Sequence, residues 1–264
     1  METTYSKKIL HSLWAVCIVL FLYLPILCMV LASFSRKRYF SFPVESFSSK
    51  WYFKAFNSLS VQDVVSTSLI IAAVVALISV VLSFFGALAF ARYEWKGRRL
   101  YQKIILLPIF FPQAVLSLAL LLWFNYLGII PSWKTAIIAH LVWVAPIATL
   151  VVSIQAYSLD PALEDAAFDL GATRLQVIRE VTLPILAPGI FSGALFAFLL
   201  SWGNFPLSLF TTGADSTLPE WLYAKIVGGY TQMVPVMGSL SVLGAFLVLF
   251  TGYLILIIKN RKSA

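Results

Sequence analysis

The side chains best equipped for chemistry gather in one segment. Residues 158–184 hold Asp160, Glu164, Asp165, Asp169 and Glu180 against Arg174 and Arg179. A segment that only gripped anionic lipid would be basic, and this one is net acidic. Its local grammar is two short helices joined by a glycine. Asp160 is a good N-cap and Pro161 suits the first helical position. Leu163, Ala166, Ala167 and Leu170 then share one helical face, with Glu164, Asp165 and Asp169 turned elsewhere. Gly171 stops the helix as a left-handed glycine does. Thr173 restarts it, and Gln176 three residues on completes a capping box. Leu175, Ile178 and Val181 give the second helix its apolar side, and Pro184 ends the unit. Such a hairpin is either an amphipathic loop resting on a membrane or a docking element. In the second reading the small Ala166 and Ala167 let a partner's surface approach.

The remaining polar candidates are scattered. Gln113, Ser117, Asn125, His140, Gln155 and Ser192 interrupt apolar stretches, and Ser201-Trp202-Gly203-Asn204-Phe205 forms a short polar-aromatic patch. Trp202 and Phe205 offer faces to a cation, and Asn204 can hydrogen-bond a polar solute. Each of these residues either lines a path or makes an interhelical hydrogen bond worth on the order of 1 kcal/mol. His140 has no second His or Cys near it in sequence, whereas metal sites need three or four ligands. We expect no metal and no cofactor. No carboxylate lies in the apolar stretches to build a catalytic triad or dyad. The chain has no G-x-x-x-x-G-K-[ST] loop, so it should not hydrolyse ATP itself and reads as a non-catalytic protein.

These residues sit on a strongly apolar chain. Of 264 residues 61% are hydrophobic and only 11% charged, against about 45–50% and 25% in soluble domains. Charge-free runs cover 9–35, 64–91, 104–133, 135–159, 181–214 and 226–258. A spanning helix needs roughly 20 apolar residues, and ionised groups at the bilayer centre are costly. The runs predict an all-α integral membrane protein: one domain over 1–264, with spans near 10–33, 66–90, 105–127, 135–157, 187–210 and 237–258. Continuous runs argue against a β-barrel. Pro25, Pro108, Pro112 and Pro146 should each kink a helix, and Pro108 with Pro112 predicts an irregular start to the third span. The loop 34–63 is aromatic, with Tyr39, Phe40, Phe42, Trp51 and Tyr52 among others. It reads as interfacial, with a short helix around Ser49–Asn57.

The net charge of +8 reads as topology, not nucleic-acid binding. Twelve of the nineteen Lys and Arg fall on the side of the termini, which predicts cytoplasmic termini; the Arg36–Lys37–Arg38 cluster dissents. The run after Lys7 and Lys8 is too long for a signal-peptide core and reads as an uncleaved first span. Cys17 and Cys28 lie ~16 Å apart on that helix, too far for a disulfide.

One stretch resembles a known family. Asp165-Ala166-Ala167, Gly171, Val181 and Leu183-Pro184 look like the EAA loop of permease subunits in bacterial binding-protein-dependent ABC importers. The spacing agrees throughout. The departure is Asp165 where the motif has glutamate, with Glu164 just before it. The Trp51-Tyr52 pair, the Arg92-Tyr93 exit from the second span and the length resemble the polyamine branch of that family.

The resemblance implies an inner-membrane protein partnered by an ABC ATPase dimer, a second homologous permease subunit and a periplasmic substrate-binding protein. It implies that Glu164, Asp165, Ala166, Ala167 and Gly171 couple to the ATPase, while Leu183 and Pro184 fix the loop to span five. The cargo would be a small polar solute, polyamine-like or opine-like; another small organic solute such as a phosphonate stays open. Gln113, Asn125, Trp202, Asn204 and Phe205 are the candidates for its path. The rival is an ion-coupled secondary transporter. It is weakened because no span holds an ionisable group of the kind such proteins use, although backbone carbonyls can substitute.

Overall fold

The computed structural model describes residues 2–37 and 46–263, with side-chain surroundings for 7–8, 10–37 and 46–255. Tyr39, Phe40 and Phe42 of the aromatic loop lie outside the described residues. In chain order the helices are α1 (Glu2–Ser33), α2 (Lys50–Phe56), α3 (Leu59–Ala87), α4 (Arg98–Phe110), α5 (Gln113–Tyr126), α6 (Trp133–Tyr157), α7 (Pro161–Asp169), α8 (Arg174–Val177), α9 (Leu183–Trp202), α10 (Pro206–Thr211), α11 (Leu218–Val227) and α12 (Met233–Ser263). Two π-turns, Leu88–Arg92 and Ile178–Thr182, extend α3 and join α8 to α9. The fold is all-α; an isolated bridge between Ser35 and Phe47 is the one β-pairing among the described residues.

Among the described residues five stretches are long and apolar enough to cross a membrane: Leu10–Ser33, Leu59–Arg92, Trp133–Tyr157, Arg174–Trp202 and Met233–Ile255. The sixth expected span, 105–127, is not one helix. It is the pair α4 and α5, bent by 102°. Phe111 is extended (ψ 138°) and Pro112 follows at φ −56° and ψ 126°. A proline forces its predecessor out of the helical region and brings no N–H, so α4 stops at Phe110. Pro25 and Pro146, by contrast, sit inside continuous helices. The fifth span also differs from the expected 187–210. It begins at Arg174, ends at Trp202, and hands over to the separate α10. Pro184 does not end the hairpin unit: it lies in the first turn of α9, just after the π-turn. The i→i−5 register, with Leu183 N–H donating to Ile178 C=O, carries the helix past the residue that lacks a donor.

The chain divides into two units. One comprises 63–221 with 248–264, the other 1–62 with 222–247. In the first, α6 and α9 pack closely against each other. A Cβ on Gly189 would lie 2.9 Å from Gln155 Cβ, and one on Gly193 would lie 3.0 Å from Val152 Cγ2. Small residues let the two backbones meet, as membrane helices need when lipid gives no hydrophobic drive to associate. Below this seam Phe84, Ala87, Leu88, Phe90, Val152, Ala156 and Leu186 form a buried cluster. At the far end of α6, Ser132 and Thr135 form a capping box, and Asp215 accepts from Trp133 N–H at 2.8 Å.

In the second unit Gln232 donates through Nε2 to the Ala32 carbonyl, and the Ser33 hydroxyl meets Tyr52 Oη at 2.6 Å. The Phe34 and Tyr52 rings lie 5.0 Å apart. The short helix expected around Ser49–Asn57 is α2.

Candidate functional site

The hairpin at 158–184 forms as its residues dictate. The Asp160 carboxylate accepts from Ala162 N–H at 3.0 Å, with Pro161 at the first helical position. At the other end of α7, Gly171 N–H donates to Phe168 C=O (2.9 Å) and Ala172 N–H to Ala167 C=O (3.0 Å). This is the paired closure of a Schellman motif. Gly171 sits at φ +86° with nothing within 4 Å of where a Cβ would be. Glycine is needed there for its backbone conformation, not for space. Thr173 and Gln176 close the capping box that opens α8.

The distribution of side chains on α7 is the informative feature. Asp165, Ala166 and Asp169 are exposed and Ala167 is half-buried. The apolar Leu163 (50% exposed), Phe168 (43%) and Leu170 (90%) also face outward. These apolar side chains, with carboxylates beside them, are left uncovered by the rest of the chain. Leu175 on α8 is exposed too, and Val177 is the residue of α8 that packs inward.

Glu164 departs from the expectation. It does not face away with Asp165 and Asp169; it is 4% exposed. One carboxylate oxygen accepts from Arg92 Nε at 3.0 Å and Nη2 at 2.5 Å. The other accepts from the Thr182 hydroxyl at 2.6 Å. Glu164 is therefore turned into the protein and cannot present its carboxylate on the outer face of the hairpin. Its partners come from the last residues of the two π-turns, one ending the α3 span and one leading into α9. A charge taken out of water needs this kind of pairing with its other lone pairs satisfied.

The π-turn at Arg92 leaves carbonyls without helical partners. Phe90 C=O accepts from Arg98 Nε (3.0 Å) and Gln102 Nε2 (2.7 Å), Ala91 C=O from Arg98 Nη2 (3.1 Å), and Ala89 C=O from Trp95 Nε1 (2.9 Å). The segment that carries Arg92 is thereby fixed from both sides. Leu183 and Pro184 are both exposed and lie where the hairpin runs into α9.

The candidate path residues do not assemble into one site. Gln113 and Asn125 sit near opposite ends of α5, ~18 Å apart along the helix, and Asn125 is exposed. Asn204 is buried and its Oδ1 accepts from Leu207 N–H at 3.0 Å, capping α10. That oxygen is already occupied by the fold. Trp202 stacks on Phe198 with ring centroids 6.2 Å apart and planes within 8°. Trp202 and Phe205 are both half-buried at the corner between α9 and α10. Behind that corner is a network among residues far apart in sequence. His140 Nδ1 meets Ser201 Oγ at 2.8 Å and Nε2 meets Ser208 Oγ at 3.1 Å.

Known proteins are similar to this chain along most of its length. Residues 79–261 match the family described as "Binding-protein-dependent transport system inner membrane component". The putrescine transport system permease protein PotI of Escherichia coli (strain K12) is 30% identical over 252 residues, 91% of this chain and 89% of that one. The spermidine/putrescine transport system permease protein PotC of Haemophilus influenzae is 26% identical over 238 residues, 90% and 92% of the two chains. Among solved structures, a chain of a bacterial ABC transporter involved in the import of the acidic polysaccharide alginate superposes with a TM-score of 0.71. It is 18% identical and 98% of each chain is covered. At that identity the likeness speaks for the fold.

Proposed function

This chain belongs to the family of binding-protein-dependent transport system inner membrane components, the permease subunits of ABC importers, and on that premise we propose that its 158–184 hairpin couples ATP hydrolysis on separate subunits to the spans. The observation that carries the proposal is the two-sidedness of α7. Away from Glu164 this helix offers the exposed Leu163, Asp165, Ala166 and Leu170 to a partner. Its inner side is tied through Glu164 to the ends of two spans. A push on the outer face then reaches α3 and α9 together, without a flexible link between. Asp165, Ala166 and Ala167 make the contact, Gly171 holds the turn, and Leu183 and Pro184 begin the span that moves. Glu164 acts as the tie and not as a contact.

The reading extends to the rest of the assembly. Two ATPase subunits bind this chain and a second homologous permease, and a periplasmic binding protein delivers the solute. The hairpin and the termini face the cytoplasm. The solute is a small polar organic molecule, and the names of the relatives favour a polyamine-like one. The Trp202–Phe198 pair and Phe205 supply the aromatic faces that a cationic solute needs where no carboxylate is on hand. Ion-coupled secondary transport has no support from the family match.

Disulfide trapping tests the coupling role. A single cysteine at Ala166→Cys, in an otherwise cysteine-free chain, should cross-link to a cysteine on the rim of the co-purified ATPase. Its rate should change when ATP is added with a non-hydrolysing ATPase variant. An Ala166→Cys chain that forms no cross-link while the intact complex still imports would sink the assignment.

A further inference from the structure

A second outward face lies on the same side of the membrane as the hairpin, since the loop it follows carries Arg92, the partner of Glu164. Over 92–112 the chain holds Arg92, Lys96, Arg98, Arg99 and Lys103 against one acid, Glu94. Arg92 is taken by Glu164 and Arg98 is paired with Glu94. Lys96, Arg99 and Lys103 are exposed and have no acidic residue of this segment left to compensate them.

Helical geometry sorts the rest. Arg99 and Lys103 fall next to Leu100, Ile104 and Leu107 on α4, and all five are exposed. Tyr101 and Ile105 lie on the opposite face, packed into the buried cluster at the ends of α3, α6 and α9. The outward side of α4 is thus a cationic stripe beside an apolar stripe. Trp95 is held at its head by Nε1 donating to Ala89 C=O and by ring contact with Tyr101 at 5.8 Å. A groove of about 600 Å³ opens there, lined by Trp95, Gly97, Arg98, Arg99 and Gln102 among others. At 13 residues α4 is ~20 Å long and turns through 102° from α5. That is too short to cross ~30 Å of hydrocarbon unaided, and the sharp turn keeps α4 from extending α5 into one straight crossing helix.

We infer that α4 and the loop before it form a bilayer-surface site for anionic phospholipid headgroups, with Lys96, Arg99 and Lys103 meeting the phosphates and Leu100, Ile104 and Leu107 set among the acyl chains. Charge complementarity selects this occupant: basic residues beside an apolar stripe and an interfacial Trp are what an anionic membrane surface attracts. The hairpin at 158–184 is acidic and lacks this character, so the two faces divide the work between lipid and protein partner. Anchoring α4 in the surface also steadies Arg92, because Arg98, Gln102 and Trp95 bind the carbonyls of the turn that carries it.

Photo-cross-linking tests the site on the full chain in membranes of mixed phosphatidylcholine and phosphatidylglycerol. Phosphatidylglycerol carrying a photoactivatable group near its headgroup should label the peptide 93–107 several-fold more than the matching phosphatidylcholine probe does. A Lys96→Gln, Arg99→Gln, Lys103→Gln chain should bring the two probes to parity there, while Lys7→Gln with Lys8→Gln leaves the preference intact. Equal labelling by both probes in the unmodified chain would overturn the proposal. So would a preference that survives the triple substitution, or a peptide 93–107 that labels with neither lipid.

Discussion

Arg92 and Glu164, 72 residues apart, meet in a largely buried ion pair with two donated hydrogen bonds to one carboxylate oxygen. The side chains are 16% and 6% exposed. Thr182 takes the other oxygen. The pair fastens the hairpin to the end of one span, and the threonine fastens it to the start of another.

Removing Arg92 leaves the buried Glu164 carboxylate without its cation, which typically costs roughly 3–5 kcal/mol, and removing Glu164 strands the half-buried guanidinium. Glu164→Ala or Arg92→Ala should therefore lower the thermal unfolding midpoint of the purified chain strongly. The double variant Glu164→Ala with Arg92→Ala should cost less than the two single losses added together. A double-mutant cycle on unfolding midpoints measures this. Additive losses would mean that the pair contributes nothing beyond its separate residues.

Thr182→Val keeps the shape and the ion pair but removes one hydrogen bond. A loss of about 1.5–3 kcal/mol is expected for a hydrogen bond to a charged group, with the complex still assembling. Coupling should suffer more than stability, because the tie to α9 is cut while the tie to α3 stays. The readout is ATP hydrolysed per solute imported in proteoliposomes. An unchanged ratio would leave Thr182 a packing residue only.

Much of this arrangement is legible in the residues, for identifiable reasons. Charge-free runs mark spans because the bilayer penalises ions wherever they fall. The capping residues Asp160, Thr173 and Gln176 and the stop at Gly171 act over three or four residues, so local spacing reveals them. The Arg92–Glu164–Thr182 tie is not local, and no periodicity links its members. Glu164 also sits among exposed acids that look alike on paper; only the packed fold separates it from Asp165. The π-turns hide for another reason: each shifts the register by one residue without altering composition. At the end of span five the apolar run continues through Gly203, so composition carries the helix to 210. Asn204 instead caps a new helix through its own side chain.

Gly171 gives a clean conformational test. With open space around it, any penalty comes from φ +86° alone. A β-branched residue there should cost about 1–2 kcal/mol and distort the turn. Asparagine tolerates the left-handed region better and should retain most activity. Gly171→Val should uncouple ATP hydrolysis from uptake while Gly171→Asn does not. Equal uptake by both variants, at equal expression, would show that the turn is not needed for coupling.

His140 sets the last test, because its hydrogen bonds can be assigned by elimination. Ser208 has one hydroxyl proton and donates it to Asn204 C=O at 2.9 Å. It can only accept from His140, so Nε2 carries the ring proton and Nδ1 accepts from Ser201. One imidazole thus bridges the end of α9 to α10 across the break at Gly203, where Trp202 and Phe205 stand. Truncation in His140→Ala leaves two buried hydroxyls short of a partner, at about 1–3 kcal/mol for such a group. The break itself should then loosen. Hydrogen exchange should accelerate across 203–212 and not across 161–169, and solute-dependent uptake should weaken while ATPase binding persists. Protection of 203–212 that matches the unmodified chain would mean the corner is held by Asn204 and the α5 contacts without the histidine.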